Sequence, residues 1–246
     1  MLKLLSLNIG LYSGYSRLKF GSWEERKASI IQFIKKQNPD VVALQEVMDD
    51  AKFNEYGDNQ AKQLAKVLRF NHSVVYLSSN LQKESPQWVG DRRAREGNAI
   101  LSRYPLVGIV KRHLKRQPED KHYRGIVYAR VMAPEPYELM VVHFTNNDAF
   151  SVLHLKEVLA YVKRTGSRPI IAGDFNIKDT RTALSLTPNG CTLSYAVKKY
   201  ISHPSTKETL DYIMLPSGLR FGGLECIDSG LSDHCALIAE IDKAVS

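Results

Sequence analysis

The 246-residue chain is poor in cysteine and tryptophan, and it has no long hydrophobic run. Cys191, Cys226 and Cys235 are scattered and form no CxxC pair. An odd, dispersed set of this kind excludes a secreted disulfide framework and a closed zinc site, and reads as reduced thiols in a cytosolic protein. No apolar stretch approaches the ~20 residues that cross a bilayer. Met1 leads almost directly into the alternating Leu2–Leu7 rather than into a charged-then-apolar leader. The expectation is therefore a cytoplasmic location, with no stable membrane association and no evident obligate protein partner. Internal repeats and low-complexity segments are also lacking, which excludes collagen, coiled coil and disordered tail.

What is present suits a packed enzyme-sized unit. Hydrophobic residues make up 43% of the chain and charged residues 24%, and a chain of this length buries roughly 70–75% of its unfolded surface. No linker is apparent, so residues 1–246 are read as a single domain. Lys and Arg number 34 against 26 Asp and Glu, a formal charge of +8. Such a field attracts polyanions: nucleic acid, anionic lipid or phosphorylated substrates.

Periodicity divides the chain into strands and helices. Leu2–Asn8 alternates as a strand. Ser22 and Glu25 have capping-box spacing ahead of a helix whose face carries Ile30, Ile31, Phe33 and Ile34. Val41–Leu44 is a buried strand running into Gln45-Glu46, a second helix is expected over Asp58–Leu68, and Ser73–Leu77 follows as a strand. Ser79–Glu96, with its Pro, Gly and alternating charges, reads as one long loop. Strands are expected at Asn98–Ser102, Leu106–Val110, Gly125–Met132, Glu138–His143, Pro169–Ala172, Leu210–Leu215, Leu224–Ile227 and Ala236–Ile241, with a helix over Ser151–Lys163. Strand–helix–strand units in both halves imply an α/β fold of two packed mixed sheets with helices outside.

Acids and amides recur where folding alone does not require them. Asn8, Glu46, Asp174 with Asn176, Asp211, and Asp233 beside His234 are read as the carboxyl ends of strands, and His143 ends another. Such ends meet at one edge of an α/β sheet, where ligands bind. Gathering these carboxylates is costly, because each raises the pKa of the others. A hard divalent cation removes the cost, and an oxygen donor set of this kind is what Mg²⁺ accepts.

The ordered series Leu7-Asn8, Gln45-Glu46, Gly97–Pro105 (GNAILSRYP), Gly173–Asn176 (GDFN), Leu210–Ile213 (LDYI) and Ser232–Cys235 (SDHC) resembles the endonuclease/exonuclease/phosphatase superfamily. The resemblance spans nearly the whole chain. It implies a four-layer sandwich and Mg²⁺-dependent phosphoester cleavage, with Mn²⁺ as a possible substitute. It makes Glu46 the principal metal ligand, with Asn8 and Asp233 helping to hold or orient the ion. Asp174 and Asn176 correspond to the pair that activates the attacking water. His234 would donate to the scissile phosphate, Asp211 would orient its ring, and Glu96 is a candidate support for His143. His143 itself matches the phosphate-contacting histidine of the DNase, sphingomyelinase and deadenylase branches.

Two departures narrow the branch. Leu7 stands where exonuclease III-like enzymes usually carry Trp, and His143-Phe144-Thr145-Asn146-Asn147 replaces their Tyr-x-Pro-Asn segment. A His-bearing branch is favoured. Asn146 and Asn147 are then candidate phosphate contacts, and Arg92, Arg93 and Arg95 candidate clamps on a substrate backbone. The run Lys111–Arg124 is a second basic stretch of that kind, and Trp88 and Tyr104 are candidates for stacking on bases. His72, His113, His122, His154 and His203 show no partner pattern. Nucleic acid is the leading substrate expectation. A phospholipid or small phosphorylated molecule is the alternative, and an inactive nucleic-acid-binding module the third.

Overall fold

The computed structural model describes residues 1–10, 22–51, 58–117 and 120–244, apart from the side chain of Trp88. Two six-stranded sheets pack face to face. The first has the order β11(Leu219–Ile227), β12(Ala236–Lys243), β1(Leu2–Asn8), β2(Val41–Asp50), β4(Ala94–Ser102), β3(His72–Asn80). The second has the order β5(Leu106–His113), β6(Gly125–Val131), β7(Tyr137–His143), β8(Ile170–Asp174), β10(Asp211–Leu215), β9(Thr192–Leu193). The two sheets correspond position by position. In each, the third and fourth strands are parallel (β1 with β2, β7 with β8) and every other pair is antiparallel.

Helices cover the outer faces, as the alternation of the strands requires. Leu5, Leu7, Val42 and Leu44 face α1(Trp23–Gln37) and α2(Gln60–Leu68), which contribute Ile30, Ile34, Leu64 and Leu68. Ser22 and Glu25 close the expected capping box on α1. On the other side Met140, Val142 and Ile171 pack against Leu155 and Val158 of α5(Asp148–Thr165). Between the sheets lie Leu2, Leu4, Val41, Ala43, Val127, Leu139, Val141, Ile170, Ala172 and Ile213. Among the described residues, no helix is long and apolar enough to cross a membrane. Cys235 is buried, and Cys191 and Cys226 are half-buried.

The inner-face alternation turns polar at one end of the slab. By strand parity Asn8 continues the face of Leu2 and Leu4, Asp174 that of Ile170 and Ala172, His143 that of Leu139 and Val141. Asp211 lies on the face of Ile213 and Leu215. It opens β10, and Asp233 and His234 precede β12, so these three do not lie at carboxyl ends of strands. They reach the same edge because β10 is antiparallel to β8 and β12 is antiparallel to β1.

Two other expectations are corrected. The segment Ser79–Glu96 is not a loop. It contains the end of β3, the short helices α3(Leu81–Glu84) and α4(Pro86–Val89), and the start of β4. Leu81, Val89 and Ala94 are buried with Met48, and this small apolar cluster orders what the charge pattern obscured. Glu46 does not end its strand either: β2 runs on to Asp50, with a register shift between Leu44 and Val47 that sets Glu46 at φ 55°.

Gly173 shows how closely β7 and β8 approach. Its φ is 140°, and a Cβ there would sit 2.0 Å from the Val142 carbonyl oxygen. Gly173→Ala should therefore destabilise the protein by about 1–3 kcal/mol, read as a lower urea midpoint. An unchanged midpoint would mean that the strands can part without cost.

Candidate active site

At the polar edge the acids sit against amides and imidazoles. Asn8 donates through Nδ2 to Glu46 Oε1 and to Asp174 Oδ2, both at 3.1 Å, and its Oδ1 accepts from the Gly10 amide at 2.9 Å. One amide thus ties the two central acids from different sheets together. Asp174 also accepts from the Asn176 backbone N–H at 2.9 Å, and Asn176 donates its side-chain amide to the Phe144 carbonyl at 3.2 Å. Asn176 and Glu46, at φ 50° and 55°, are both left-handed, a conformation that costs non-glycine residues about 1–2 kcal/mol. Strain of this kind persists where the surroundings fix a side chain for use.

Two histidines face Asp174. His143 Nε2 is 3.5 Å from Asp174 Oδ2 and 3.9 Å from Glu46 Oε1. His234 Nε2 is 3.9 Å from the same Asp174 oxygen, while its Nδ1 meets Asp211 Oδ2 at 2.8 Å. The two rings differ in charge. Burial, with Arg124 and His234 nearby, holds His143 well below the ordinary histidine range, so it is neutral. Burial also works against a charge on His234, but Asp211, Asp174 and Asp233 overcome it and raise that ring to about 10. Asp174 is pushed up to about 7, chiefly by burial, with Asp211 and Glu46 adding repulsion against the attraction of His234. A carboxylate poised near neutrality beside a charged imidazole has the acid–base pairing that hydrolysis uses.

Asp233 lies on the outer flank. Its Oδ1 accepts from Ser232 Oγ at 3.1 Å and its Oδ2 is 3.7 Å from His203 Nε2. Burial pushes this carboxyl up, but His203 and His234 outweigh it and hold it at about 2. His203 also packs edge-on against His234, with ring centroids 4.8 Å apart. Its sequence context, Ser202-His203-Pro204, gave no sign of this.

Two arginines were also missed. Arg124 Nη1 stands 3.0 Å from His143 Nδ1 and 3.1 Å from Glu96 Oε1, and so joins Glu96, which lies on β4, to the His143 ring. Donation into Nδ1 keeps the ring proton on Nε2, facing Asp174. Arg26, 4% exposed on α1, donates to the carbonyls of Ile9, Gly10 and Leu231. It clamps the segment after Asn8 to the segment before Asp233, and its charge faces Asp233 and Glu46. Neither stands out in sequence, because Arg124 ends a basic run and Arg26 is one charge among several on an amphipathic helix.

The remaining candidates lie outside the cluster. Arg92 pairs with Asp50 Oδ1 at 2.8 Å, and Arg93 pairs with Asp49. These two serve as struts between the end of β2 and the start of β4. Arg95 is exposed and donates to the Leu77 carbonyl. Asn147 caps α5, accepting from the Ala149 and Phe150 amides, while Asn146 is exposed. Tyr104 is half-buried with its hydroxyl 3.4 Å from Asp40, and the side chain of Trp88 lies outside the described residues. His122 faces Glu84 at 3.8 Å, and buried His154 faces Asp120 at the same distance.

The donor set fits a divalent cation. Among the described residues, two sets of three side chains place their donor atoms within 4.8 Å of one another: Asp174, Asp211 and His234, and His203, Asp233 and His234. Glu46 joins neither set and is connected instead through Asn8. Without a cation, burial first and the repulsion of Asp211 and Glu46 second keep Asp174 from ionising at its ordinary pH. The edge thus has what a phosphoester hydrolase needs: clustered carboxylates for a metal, a base near neutrality, and a positively charged donor.

Residues 5–234 match the model of the Endonuclease/Exonuclease/phosphatase family, and the chain belongs to that family of phosphoester hydrolases. A family member from Beutenbergia cavernae superposes with a TM-score of 0.76 at 20% identity, covering 98% of this chain and 71% of that one. The human Nocturnin catalytic domain, solved with a bound sulfate, gives 0.74 at 17% identity over 99% and 94% of the two chains. A mannosyl-6-phosphatase from Bacteroides thetaiotaomicron gives 0.71 at 15% identity over 98% and 100%. At these identities the likenesses establish the fold. No curated protein matches the sequence.

The electrostatics carry a stability prediction. Asp174 titrates at about 7 in the folded chain, against 3.8 for its ordinary value. Its contribution to stability is therefore full below pH 3.8 and is lost as pH rises through 7. Without divalent cations, Asp174→Asn should be more stable than wild type at pH 8, by on the order of 2 kcal/mol, and should show no advantage at pH 4. Equal thermal melting at pH 8 would contradict the buried-charge assignment.

Proposed function

We propose that this protein is a Mg²⁺-dependent phosphodiesterase acting on nucleic acid in the cytoplasm, as one catalytic unit. The observation that carries the reading is the convergence on Asp174 Oδ2 of Asn8, His143 and His234, donors from three separate strands and loops. In this reading Asn8, whose Nδ2 donates to Glu46 Oε1, orients the principal ligand, and Glu46 and Asp233 hold the ion. When bound, it supplies positive charge to the phosphate oxygens, worth several kcal/mol in the transition state.

The protein's own groups do the rest. Asp174, titrating at about 7, accepts the proton of the attacking water, a contribution of about 10²–10⁴-fold. Asn176, whose backbone fixes the Asp174 carboxylate, orients that water. His234 carries its charge on Nε2–H towards the ester, held by Asp211 on the far side of the ring. His143, neutral and protonated on Nε2 by virtue of Arg124, is a second donor to the phosphate.

The substrate choice rests on charge. Besides the +8 balance, a groove between the edge strands β3 and β5 is lined by Lys62, Tyr76, Arg95 and Lys111. Cations and a ring along one track suit a single strand. A small phosphorylated molecule is the second reading. It is favoured by the engagement of Arg92, Arg93 and Asn147 in internal contacts, and by the fold shared with a mannosyl-6-phosphatase.

The test is hydrolysis of single-stranded oligonucleotides, plasmid and small phosphomonoesters, with Mg²⁺ or with chelator. Chelator-sensitive oligonucleotide cleavage is expected. Cleavage of small esters alone would replace the first reading with the second. Asp174→Asn and His234→Ala should each lower kcat by at least about 10² while leaving the circular dichroism spectrum unchanged. Near-wild-type turnover in either variant would remove the assigned roles.

A further inference from the structure

We infer that His203, Asp233 and His234 form a nitrogen-rich cation site that takes a borderline transition metal such as Zn²⁺, separate from Glu46 and the Asn8 that orients it. The donor atoms of all three lie within 4.8 Å of one another. His203 Nε2 and Asp233 Oδ2 are 3.7 Å apart, beyond hydrogen-bond length. Two ligands on a tetrahedral zinc, with bonds of about 2.0–2.2 Å, stand roughly 3.4 Å apart. The His203–Asp233 pair needs only a few tenths of an ångström to close around an ion, and the His234 donor, within 4.8 Å of both, a larger movement.

The outer contacts support the same assignment. A metal-binding histidine usually engages its second ring nitrogen with a carboxylate or another polar group, which fixes the ring and directs the free nitrogen to the metal. Both rings do so here. His234 Nδ1 meets Asp211 Oδ2 at 2.8 Å, and His203 Nδ1 meets Thr206 Oγ1 at 2.7 Å. The His203 backbone is fixed as well, by reciprocal hydrogen bonds with Glu208. Each ring is left with Nε2, and that of His203 is the nitrogen that faces Asp233. Two imidazoles and one carboxylate select Zn²⁺ over Mg²⁺, which prefers oxygen.

The site also has a functional consequence, and that part rests on the phosphodiesterase reading. Zn²⁺ on His234 Nε2 occupies the nitrogen assigned to the ester and draws Asp233 away from the Mg²⁺ ligands. Zinc would then inhibit, competing with Mg²⁺ through a residue, His203, that lies outside the hydrolytic set.

Binding is measured first and needs no activity. Titration of the metal-free protein with Co²⁺ should give the intense visible absorption of a tetrahedral site, and Zn²⁺ should displace it at one equivalent. His203→Phe keeps an aromatic ring against His234 but lacks the nitrogen, and should weaken Zn²⁺ binding at least 100-fold. Thr206→Val, which only unties His203 Nδ1, should weaken it by about tenfold. Unchanged Zn²⁺ affinity in His203→Phe, or no tetrahedral Co²⁺ spectrum in wild type, would overturn the proposal. Zinc binding with this mutational pattern in a protein that cleaves no phosphoester would sustain the site and remove only the inhibitory consequence.

Discussion

The architecture of the site depends on one constraint: several carboxylates are held together where water is largely excluded. Asp174 and Asp211 are almost fully buried, and Asp174 lies within reach of Glu46 through a single amide. Left alone, such a group would disperse or take up protons. Here the repulsion is opposed by neighbours of suitable charge and geometry: Asn8 between Glu46 and Asp174, His234 against Asp211, and Arg26 behind Glu46 and Asp233. The protein invests stability in a constellation that a bound cation would relieve. Such an arrangement costs stability and suits chemistry rather than folding.

The sheets make that constellation possible. Two slabs of matching strand order bury alternate residues against each other, and the same parity that fills the core with Val, Ile and Leu aims the last residues of the strands into a shared cleft. Each slab supplies one acid to the centre, Glu46 from β2 and Asp174 from β8, at corresponding positions in the two sheets. Hydrolytic function therefore depends on registry between sheets. Within each sheet the polar ends are fixed separately, by the close approach of β7 and β8 at Gly173 and by buried Arg26, which holds two segments of the first sheet by their carbonyls.

Much of this was legible from the amino-acid order. Strand positions such as Leu2–Asn8 and Leu210–Leu215 fell on or within a residue of the observed β1 and β10, because apolar runs bounded by polar residues mark buried strands. The motif acids and histidines stand out because polar residues there interrupt apolar periodicity. What escaped notice has physical reasons. The run Ser79–Glu96 looked like a loop because its order comes from three dispersed apolar side chains closing on Met48, a long-range contact with no local period. Arg92, Arg93 and Asn147 looked available to a ligand because composition cannot show that Asp50, Asp49 and the first turn of α5 already engage them. His203 and Arg124 looked ordinary because their meaning comes entirely from what folding brings beside them.

The central claim is that Glu46, Asn8 and their neighbours at the joined sheet edges hold one hard divalent cation. The most direct measurement is anomalous scattering from a crystal grown with Mn²⁺ in place of Mg²⁺. The account predicts a peak within bonding distance of Glu46, beside Asn8, at the polar edge between β1 and β2. Density at neither side chain, with the ion elsewhere on the surface, would contradict it.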